Sequence, residues 1–284
     1  MNRRFAIGFL SPLAGIWMTA VSFAADFTRP CADCHTKQAR AFSGSRMAIA
    51  ASTRSFLREW KRNGSSVKCL SCHAPSGGAG VVCRDCHRGR AHPVAKVSVP
   101  AICARCHDAK GEVTLRSFMQ SPAARRGKTC LACHSRREGK VNAHHFAGPA
   151  ADHAFLRRAA TLRMLTARRT GRPVVILQVR NHAGHAIPGG TTGRALWLVV
   201  TGYSSDGERL IRQVARFGWE HARSGEWRDR TLKPGKSAIL EVPVEQTGVR
   251  RVRARLIYRF LPGVLAADDH EGIVVDELEM RLRQ

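Results

Sequence analysis

Acidic residues are scarce in this sequence of 284 residues, which has 21 Asp and Glu against 47 Lys and Arg. The resulting net charge of +26 favours encounters with anionic partners, because a field of one sign steers ligands of the other. No apolar run long enough to span a bilayer occurs after the N-terminal segment, which excludes later transmembrane helices. Cysteine does not occur after Cys133, so the C-terminal part attaches no cofactor covalently through sulfur.

The ten cysteines form five Cys-x-x-Cys pairs, and a histidine directly follows each pair. Such a run is typical of c-type haem attachment, in which two thiolates bind the haem vinyl groups and the imidazole ligates the iron. Structural zinc uses four ligands per ion, and five pairs divide badly into fours. A disulfide framework is open to an exported protein, but a two-residue gap favours metal or redox chemistry. We therefore predict five c-type haems, held by motif 1 (Cys31, Cys34, His35), motif 2 (Cys69, Cys72, His73), motif 3 (Cys83, Cys86, His87), motif 4 (Cys103, Cys106, His107) and motif 5 (Cys130, Cys133, His134).

The N-terminal segment has the composition of an export signal. Arg3 and Arg4 precede an apolar run that ends at Phe23, and small residues follow it. Ser22 and Ala24 fit the small-x-small rule for cleavage after residue 24, so 1–24 is predicted to be a signal peptide. An uncleaved anchor is the alternative, because the run approaches spanning length. Both interpretations place the mature chain in the periplasm or otherwise outside the cytoplasm, where c-type haem is attached.

The charge of the mature protein predicts the kind of partner. Removal of Arg3 and Arg4 leaves +24. Five haems at about −1 to −2 each would lower this to roughly +14 to +19. We expect redox partner proteins with acidic docking surfaces, and association with an anionic membrane surface is a second option. Nucleic acid is not an expected partner of an exported haem protein.

The two parts of the mature chain differ in their sequence patterns, because the first holds the cysteine motifs and the second holds strand-like runs. This predicts an α + β fold with two domains. Residues 25–171 hold all five motifs and are expected to wrap the haems in short helices and loops, with few strands. Helices are predicted over 36–61, 113–126 and 152–169, the last with Asp152 as its N-cap. The nine residues between His73 and Cys83 are expected to hold two haems close together.

Residues 172–284 are predicted to form an antiparallel β-sandwich. Apolar and alternating runs typical of strands occupy 174–181, 195–203, 209–219, 237–244, 249–260 and 272–282. Turn sequences at 204–207 and 233–236 separate some of them. Six or more strands in about 110 residues are typical of a sandwich.

The residue opposite each proximal histidine decides whether an iron carries electrons or binds a substrate. Eight histidines lie outside the motifs, so there are enough to fill five distal positions. A thioether opposite a histidine would raise the reduction potential, which makes one methionine a further candidate. The distal candidates are His92, His144, His145, His153, His185 and Met47. His182 shares a Gly-rich loop with His185 and is the weaker candidate of the two.

Several segments resemble the tetrahaem cytochrome c superfamily of ammonia oxidisers. "CADCHTKQARAFSGSRMAIA" is similar to its first haem segment, with Met47 where the family pattern has a histidine. "SFMQSPAARRGKTCLACH" and "HHFAGP" followed by His153 are similar to its later segments. "NHAGHAIPGG" resembles its Gly-His-x-x-Pro-Thr-Gly pattern, with Gly189 in place of the threonine. The resemblance implies periplasmic electron transfer, with His145, His153 and His185 as distal ligands.

Three functions are compatible with these features. An electron carrier that passes electrons along closely packed haems is favoured, because five motifs lie within about a hundred residues. A multihaem oxidoreductase with one open haem, acting on a small nitrogen or sulfur compound, is the first alternative. Against it, the chain has no Cys-x-x-Cys-Lys motif, and its two tyrosines, Tyr203 and Tyr258, lie in the β-rich part. A subunit of a larger electron conduit, with the sandwich as an interaction module, is the second alternative.

Overall fold

The computed structural model describes residues 29–87, 99–109, 111–135, 137–139, 141–150, 152–190, 193–221, 224–244, 248–260 and 272–282. The predicted export signal and the distal candidate His92 lie outside these residues. Within them, the helices are α1 Arg29–Ala32, α2 Thr36–Ser43, α3 Arg54–Arg62, α4 Val67–His73, α5 Cys83–Cys86, α6 Ala101–His107, α7 Thr114–Met119, α8 Pro122–Arg125, α9 Cys130–His134 and α10 His153–Arg157. The strands are β1 Arg137–Glu138, β2 Val141–Asn142, β3 Ala160–Arg169, β4 Arg172–Asn181, β5 Ala195–Tyr203, β6 Arg209–His221, β7 Trp227–Asp229, β8 Ser237–Pro243, β9 Arg251–Arg259 and β10 Ile273–Arg281. No described helix is long and apolar enough to cross a membrane.

The N-terminal part consists of short helices, and two of the three predicted helices are interrupted. The segment 36–61 forms α2 and α3 with turns between them, and Thr53 begins α3 by accepting a hydrogen bond from the backbone N–H of Phe56. The segment 113–126 breaks before Pro122, which lacks the N–H that would continue α7. Ser121 caps the new helix α8 by accepting from the N–H of Ala124.

The helix predicted over 152–169 is wrong beyond its first turn. Asp152 caps α10 as predicted, at 2.8 Å from the N–H of Phe155, but α10 ends at Arg157. From Ala160 the chain pairs with β4 over ten residues, in a register that runs from Ala160 opposite Asn181 to Arg169 opposite Arg172. Thr170 and Gly171, with φ of 49° and 79°, form the two-residue turn that closes this hairpin. The sheets therefore begin before the predicted domain boundary at residue 171.

All six predicted strands are present, as β4, β5, β6, β8, β9 and β10. A three-stranded sheet has the order β3-β4-β8, and a five-stranded sheet has the order β10-β9-β5-β6-β7. Every described pairing within them is antiparallel. The chain thus has the predicted α + β class.

One apolar core joins the two sheets. It contains inward-facing residues from strands of both sheets, such as Leu177 and Val179 of β4 and Leu198 of β5. These side chains alternate with more exposed ones along β4, as expected of a sheet that packs on one face. The core also includes Leu156 of α10 and Ile187, which follows β4, and these residues connect the sheets to the rest of the chain.

Candidate haem sites

Every cysteine pair lies on or beside a short helix. Helices α4, α6 and α9 each carry both cysteines of a motif and end at its histidine, whereas His87 directly follows α5 and His35 directly precedes α2. Cysteines three residues apart on one helical turn point to the same side, so each pair presents two sulfurs together. This arrangement suits a ligand that bonds to both sulfurs of a pair.

The ten thiols are free, and none of them is buried. Free cysteine is ordinarily among the most buried residue types, so ten accessible thiols need a chemical reason. Thioether bonds to haem supply one, because they form only at sulfurs that a macrocycle can reach. No group of three or more His, Cys, Asp or Glu within the described ranges converges to hold a bare metal ion. The donor set, two thiols and one imidazole per motif, fits c-type haem.

Three of the candidate ligand histidines are oriented by backbone carbonyls. Nδ1 of His73 donates to the oxygen of Ala50 at 3.1 Å, and Nδ1 of His134 donates to the oxygen of Ala147 at 2.6 Å. Nδ1 of His185 donates to its neighbour Ala186 at 2.8 Å. A carbonyl only accepts, so the proton sits on Nδ1 and the lone pair sits on Nε2. This is the tautomer that a metal-binding imidazole needs.

Two pairs of imidazole rings have a separation that suits one shared iron. The ring centroids of His134 and His185 are 6.2 Å apart, with 15° between the ring planes. The ring centroids of His87 and His144 are 6.1 Å apart, with 34° between the planes. Two imidazoles that bind opposite sides of one metal through Nε2, at about 2 Å each, have centroids roughly 6 Å apart. Each pair joins a motif histidine to a predicted distal candidate.

The loop that carries His185 is shaped by the buried side chain of Asn181. Its amide nitrogen donates to the carbonyls of His185 at 2.9 Å and Leu232 at 2.8 Å, and its oxygen accepts from the N–H of Ala183 at 2.7 Å. The side chain of Asn181 is fully buried, where an unsatisfied polar group would be costly, and these three bonds satisfy its amide. Asn181 therefore fixes the direction in which this loop leaves β4.

Helix α7 fixes the same loop from the side of the motifs. The hydroxyl of Ser117 accepts from the N–H of Ala186 at 3.0 Å, and the hydroxyl of Thr114 accepts from the N–H of Gly190 at 3.0 Å. A Cβ at Gly189 would lie 2.9 Å from Cε1 of His185, so the ring occupies the space of a side chain. The imidazole is thus held between the sandwich and α7.

Burial keeps the clustered histidines neutral. It lowers the pKa of His73, His87 and His107, and it lowers the pKa of His185 to about 4. His107 is an exposed residue, but the atoms packed around its ring still desolvate it in part, which lowers its pKa. A neutral imidazole is the form that ligates a metal.

Motif 4 contacts three other motifs. Sγ of Cys106 lies 3.9 Å from the carbonyl oxygen of Cys72, and Sγ of Cys72 lies 4.0 Å from that of Arg105, which joins motifs 2 and 4. The guanidinium of Arg105 donates to the oxygen of Asp85, in motif 3, at 2.9 Å. The thiol of Cys103 lies beside that of Cys130 in motif 5, and their interaction raises the pKa of Cys103 and lowers the pKa of Cys130.

Motifs 1 and 3 are also neighbours. Burial raises the pKa of Cys83, and the neighbouring thiol of Cys31 raises it further. Motifs 2 and 3 are linked beyond Arg105 by a bond of 2.6 Å from the hydroxyl of Ser76 to Asp85. The expected proximity of motifs 2 and 3 thus extends to a cluster of all five.

The remaining distal candidates are less closely associated with a motif. His145 is half-buried, and His153 is exposed at the start of α10. Met47 is half-buried, and its carbonyl oxygen accepts from the N–H of Val81 at 2.9 Å, close to motif 3. His182 is exposed and lies 2.7 Å from the hydroxyl of Thr161.

Sequence reasoning missed one polar group between the motifs and the sandwich. Glu112 is buried, and burial raises its pKa although it accepts hydrogen bonds from Thr114. The guanidinium of Arg194 packs against Gly190 and lies 3.4 Å from Oη of Tyr258. Its positive charge also acts on His185, where it helps to lower the pKa after burial and other groups. These residues come from distant segments, so no local pattern marks them.

The fold is similar to that of a penta-haem cytochrome c552 from Thermochromatium tepidum, with a TM-score of 0.70 and 19% sequence identity. The match covers 90% of this chain and 98% of that chain, and at this identity it shows a shared fold. A hypothetical protein from Pyrococcus horikoshii OT3 matches 43% of this chain and 88% of its own, at 11% identity and a TM-score of 0.22. A β-glucuronidase from Bacteroides uniformis matches 42% of this chain and 12% of its own, at 16% identity and a TM-score of 0.21. The two lower scores do not indicate a common fold.

No protein-family model matches the sequence, and no curated protein is significantly similar to it.

Proposed function

We propose that this protein is an exported c-type cytochrome that holds five haems and passes electrons between redox proteins. The observation that supports this proposal most strongly is the set of five Cys-x-x-Cys-His motifs. All their thiols are accessible, and the motifs lie close together in one cluster. The likeness of the fold to a penta-haem cytochrome supports the same count. The predicted signal peptide supports export.

The paired imidazole rings support electron transfer rather than catalysis. When bound, haem supplies a one-electron couple between ferric and ferrous iron. His134 and His185 would hold one haem from both sides, and His87 and His144 would hold another. Two strong ligands leave no position for a substrate, which is the arrangement of an electron carrier. His92, His145, His153 and Met47 are the candidates for the other three haems.

The contacts between motifs support rapid exchange of electrons within the protein. Motif 4 contacts motifs 2 and 3 and lies beside motif 5, and motif 3 lies beside motif 1, so every motif has a neighbour. Motif 4 would then act as a junction, not as one link of a simple row. The positive charge of the mature chain would steer acidic partners to this cluster.

Low-temperature electron paramagnetic resonance of the purified holoprotein tests the ligand assignments. We expect His185→Ala and His144→Ala each to convert one low-spin haem to a high-spin haem. His182→Ala is the matched control, since this exposed residue lies in the same loop as His185. If neither substitution alters a haem signal, both assignments fail. A high-spin haem in the wild-type protein that binds cyanide would favour the enzyme alternative instead.

A further inference from the structure

Helix α3 carries a row of basic side chains around an apolar one. Arg54, Leu57, Arg58 and Lys61 are spaced by three or four residues, so they share one face of the helix. All four are exposed, and Leu57 retains 37% of its accessible area. The start of α4 lies beside the C-terminal end of α3, because the N–H of Ser65 donates to the carbonyl oxygen of Trp60 at 2.8 Å. Val67 and Lys68 are exposed there, Val67 to 76%. We call these six residues the α3 patch.

The opposite side of α3 is attached to motif 2. The ring of Phe56 stacks on the imidazole of His73, with centroids 4.3 Å apart and 28° between the planes. Trp60 lies one turn further along the helix and donates from Nε1 to the carbonyl oxygen of Ser66, 2.9 Å away. Ser66 in turn caps α4, the helix that carries Cys69 and Cys72. A protein bound to the α3 patch would therefore be separated from the motif 2 histidine by one helix.

The charge of this surface has one sign. Glu59 is the only acidic residue between Thr36 and Arg84, and its carboxylate is paired with Arg62 at 3.3 Å. The α3 patch itself has four cations and no anion. An apolar centre within a charged rim is the usual anatomy of a protein interface. Complementary charges at such a rim act mainly by accelerating encounter.

We propose that the α3 patch is the docking site of an acidic redox protein that exchanges electrons with the haem of motif 2. This inference rests on the proposed function, because it presumes that motif 2 holds a haem. Leu57 and Val67 would contact the partner at the centre, and Arg54, Arg58, Lys61 and Lys68 would face its carboxylates. One electron leaves the reduced partner and converts one ferric haem to ferrous, so no further reactant is needed.

Stopped-flow kinetics with a reduced acidic plant-type [2Fe–2S] ferredoxin tests the proposal on the ferric holoprotein. The triple variant Arg58→Gln, Lys61→Gln, Lys68→Gln should lower the second-order rate constant about tenfold at low ionic strength. It should also flatten the dependence of the rate on salt. The matched control is Arg163→Gln, Arg168→Gln, Arg180→Gln, which removes the same charge from exposed positions of the three-stranded sheet. The control should change the rate less than twofold.

Equal losses in both triple variants would overturn the proposal, because the effect would then come from net charge alone. No loss in either variant would also overturn it, because the α3 patch would then have no part in binding the ferredoxin. A second result would also overturn it: unchanged ferredoxin kinetics together with weakened binding to phosphatidylglycerol vesicles would assign the patch to a membrane surface. Reduction of the wild-type protein by dithionite distinguishes a failure of the proposed function from a failure of the proposed docking site. If no haem is reduced by dithionite, the proposed function fails, and if all are reduced while the patch has no effect, only this inference fails.

Discussion

The motif region, residues 29–157, and the sandwich, β3 to β10, differ in the number and size of their buried apolar side chains. In the sandwich, Val175, Leu177 and Val179 are fully buried, and branched aliphatic side chains from both sheets fill the interior. In the motif region the described buried apolar residues outside the sandwich core are few and mostly small, namely Phe42, Ala74, Val81, Phe118, Ala143 and Ala147. The comparison teaches that long paired strands accompany a side-chain core, whereas the described motif region has few buried apolar side chains of its own, as expected if the proposed haems supply its apolar surface.

Removal of the haem proposed for motif 4 should have the largest effect, because it should destabilise the motif region and leave the sandwich intact. The double variant Cys103→Ala, Cys106→Ala should lose one haem per chain and open the motif region, since α6 contacts motifs 2, 3 and 5. Limited proteolysis followed by mass spectrometry should find new cleavage sites within 29–157 while β3 to β10 stay resistant. Loss of the sandwich at the same time would contradict the independence of the two cores.

A cavity in the sandwich should have the converse effect. Leu177→Ala should lower the free energy of unfolding by about 2–5 kcal/mol, because the site is fully buried between the sheets. The haem count and the haem spectra should not change. Leu165→Ala is the matched control on the neighbouring strand, where the side chain is 48% exposed, and chemical denaturation should show a much smaller loss. A change in haem signals in Leu177→Ala would show that the two regions share one core.

Asn181 connects the two regions, so its substitution should affect both. Asn181→Ala removes the bonds to the carbonyl of His185 and to the N–H of Ala183, which costs about 1–3 kcal/mol, whereas the carbonyl of Leu232 still accepts from the N–H of Ile187. The loop would lose its fixed direction, and the low-spin signal assigned to His134 and His185 should shift or broaden. Denaturation and paramagnetic resonance of the same sample measure the two effects. A loss of stability with an unchanged signal would mean that α7 alone positions His185.

Substitution of Arg194 should have a smaller effect, which should appear in the reduction potentials and not in the free energy of unfolding. Its cation lies close enough to act on His73, His107 and His185, and a positive charge stabilises ferrous over ferric iron. Arg194→Gln should therefore lower the potential of the nearby haems by roughly tens of millivolts. Spectroelectrochemical titration measures the shift, with Arg194→Lys expected to retain most of the potential. An equal shift in the exposed control Arg163→Gln would contradict a local effect.

The local signals in the sequence predicted much of the fold. All six strand predictions are confirmed, because alternation in β4 and the apolar run of β5 reflect burial directly. The error at 152–169 has a clear cause: Leu162 and Leu165 fit a helical face as well as a strand. The dipeptide Thr170–Gly171 was the available signal for a hairpin, since both residues adopt positive φ.

The candidate site was only partly predictable for a different reason. Cys-x-x-Cys-His is a local pattern, so the candidate proximal residues could be proposed from the sequence directly. The imidazole rings that face His134 and His87 come from segments far apart in the chain, and His185 was one of several candidates in the sequence. Asn181, Ser117 and Arg194 carry no motif, and only the folded chain shows that they surround His185.

Intact-mass spectrometry of the exported, mature protein tests the central claim most directly. The account predicts one species that begins after residue 24 and carries five covalently bound haems, with no thiol available to an alkylating reagent. A mature chain that contains ten alkylatable cysteines, or a metal without porphyrin, would contradict it.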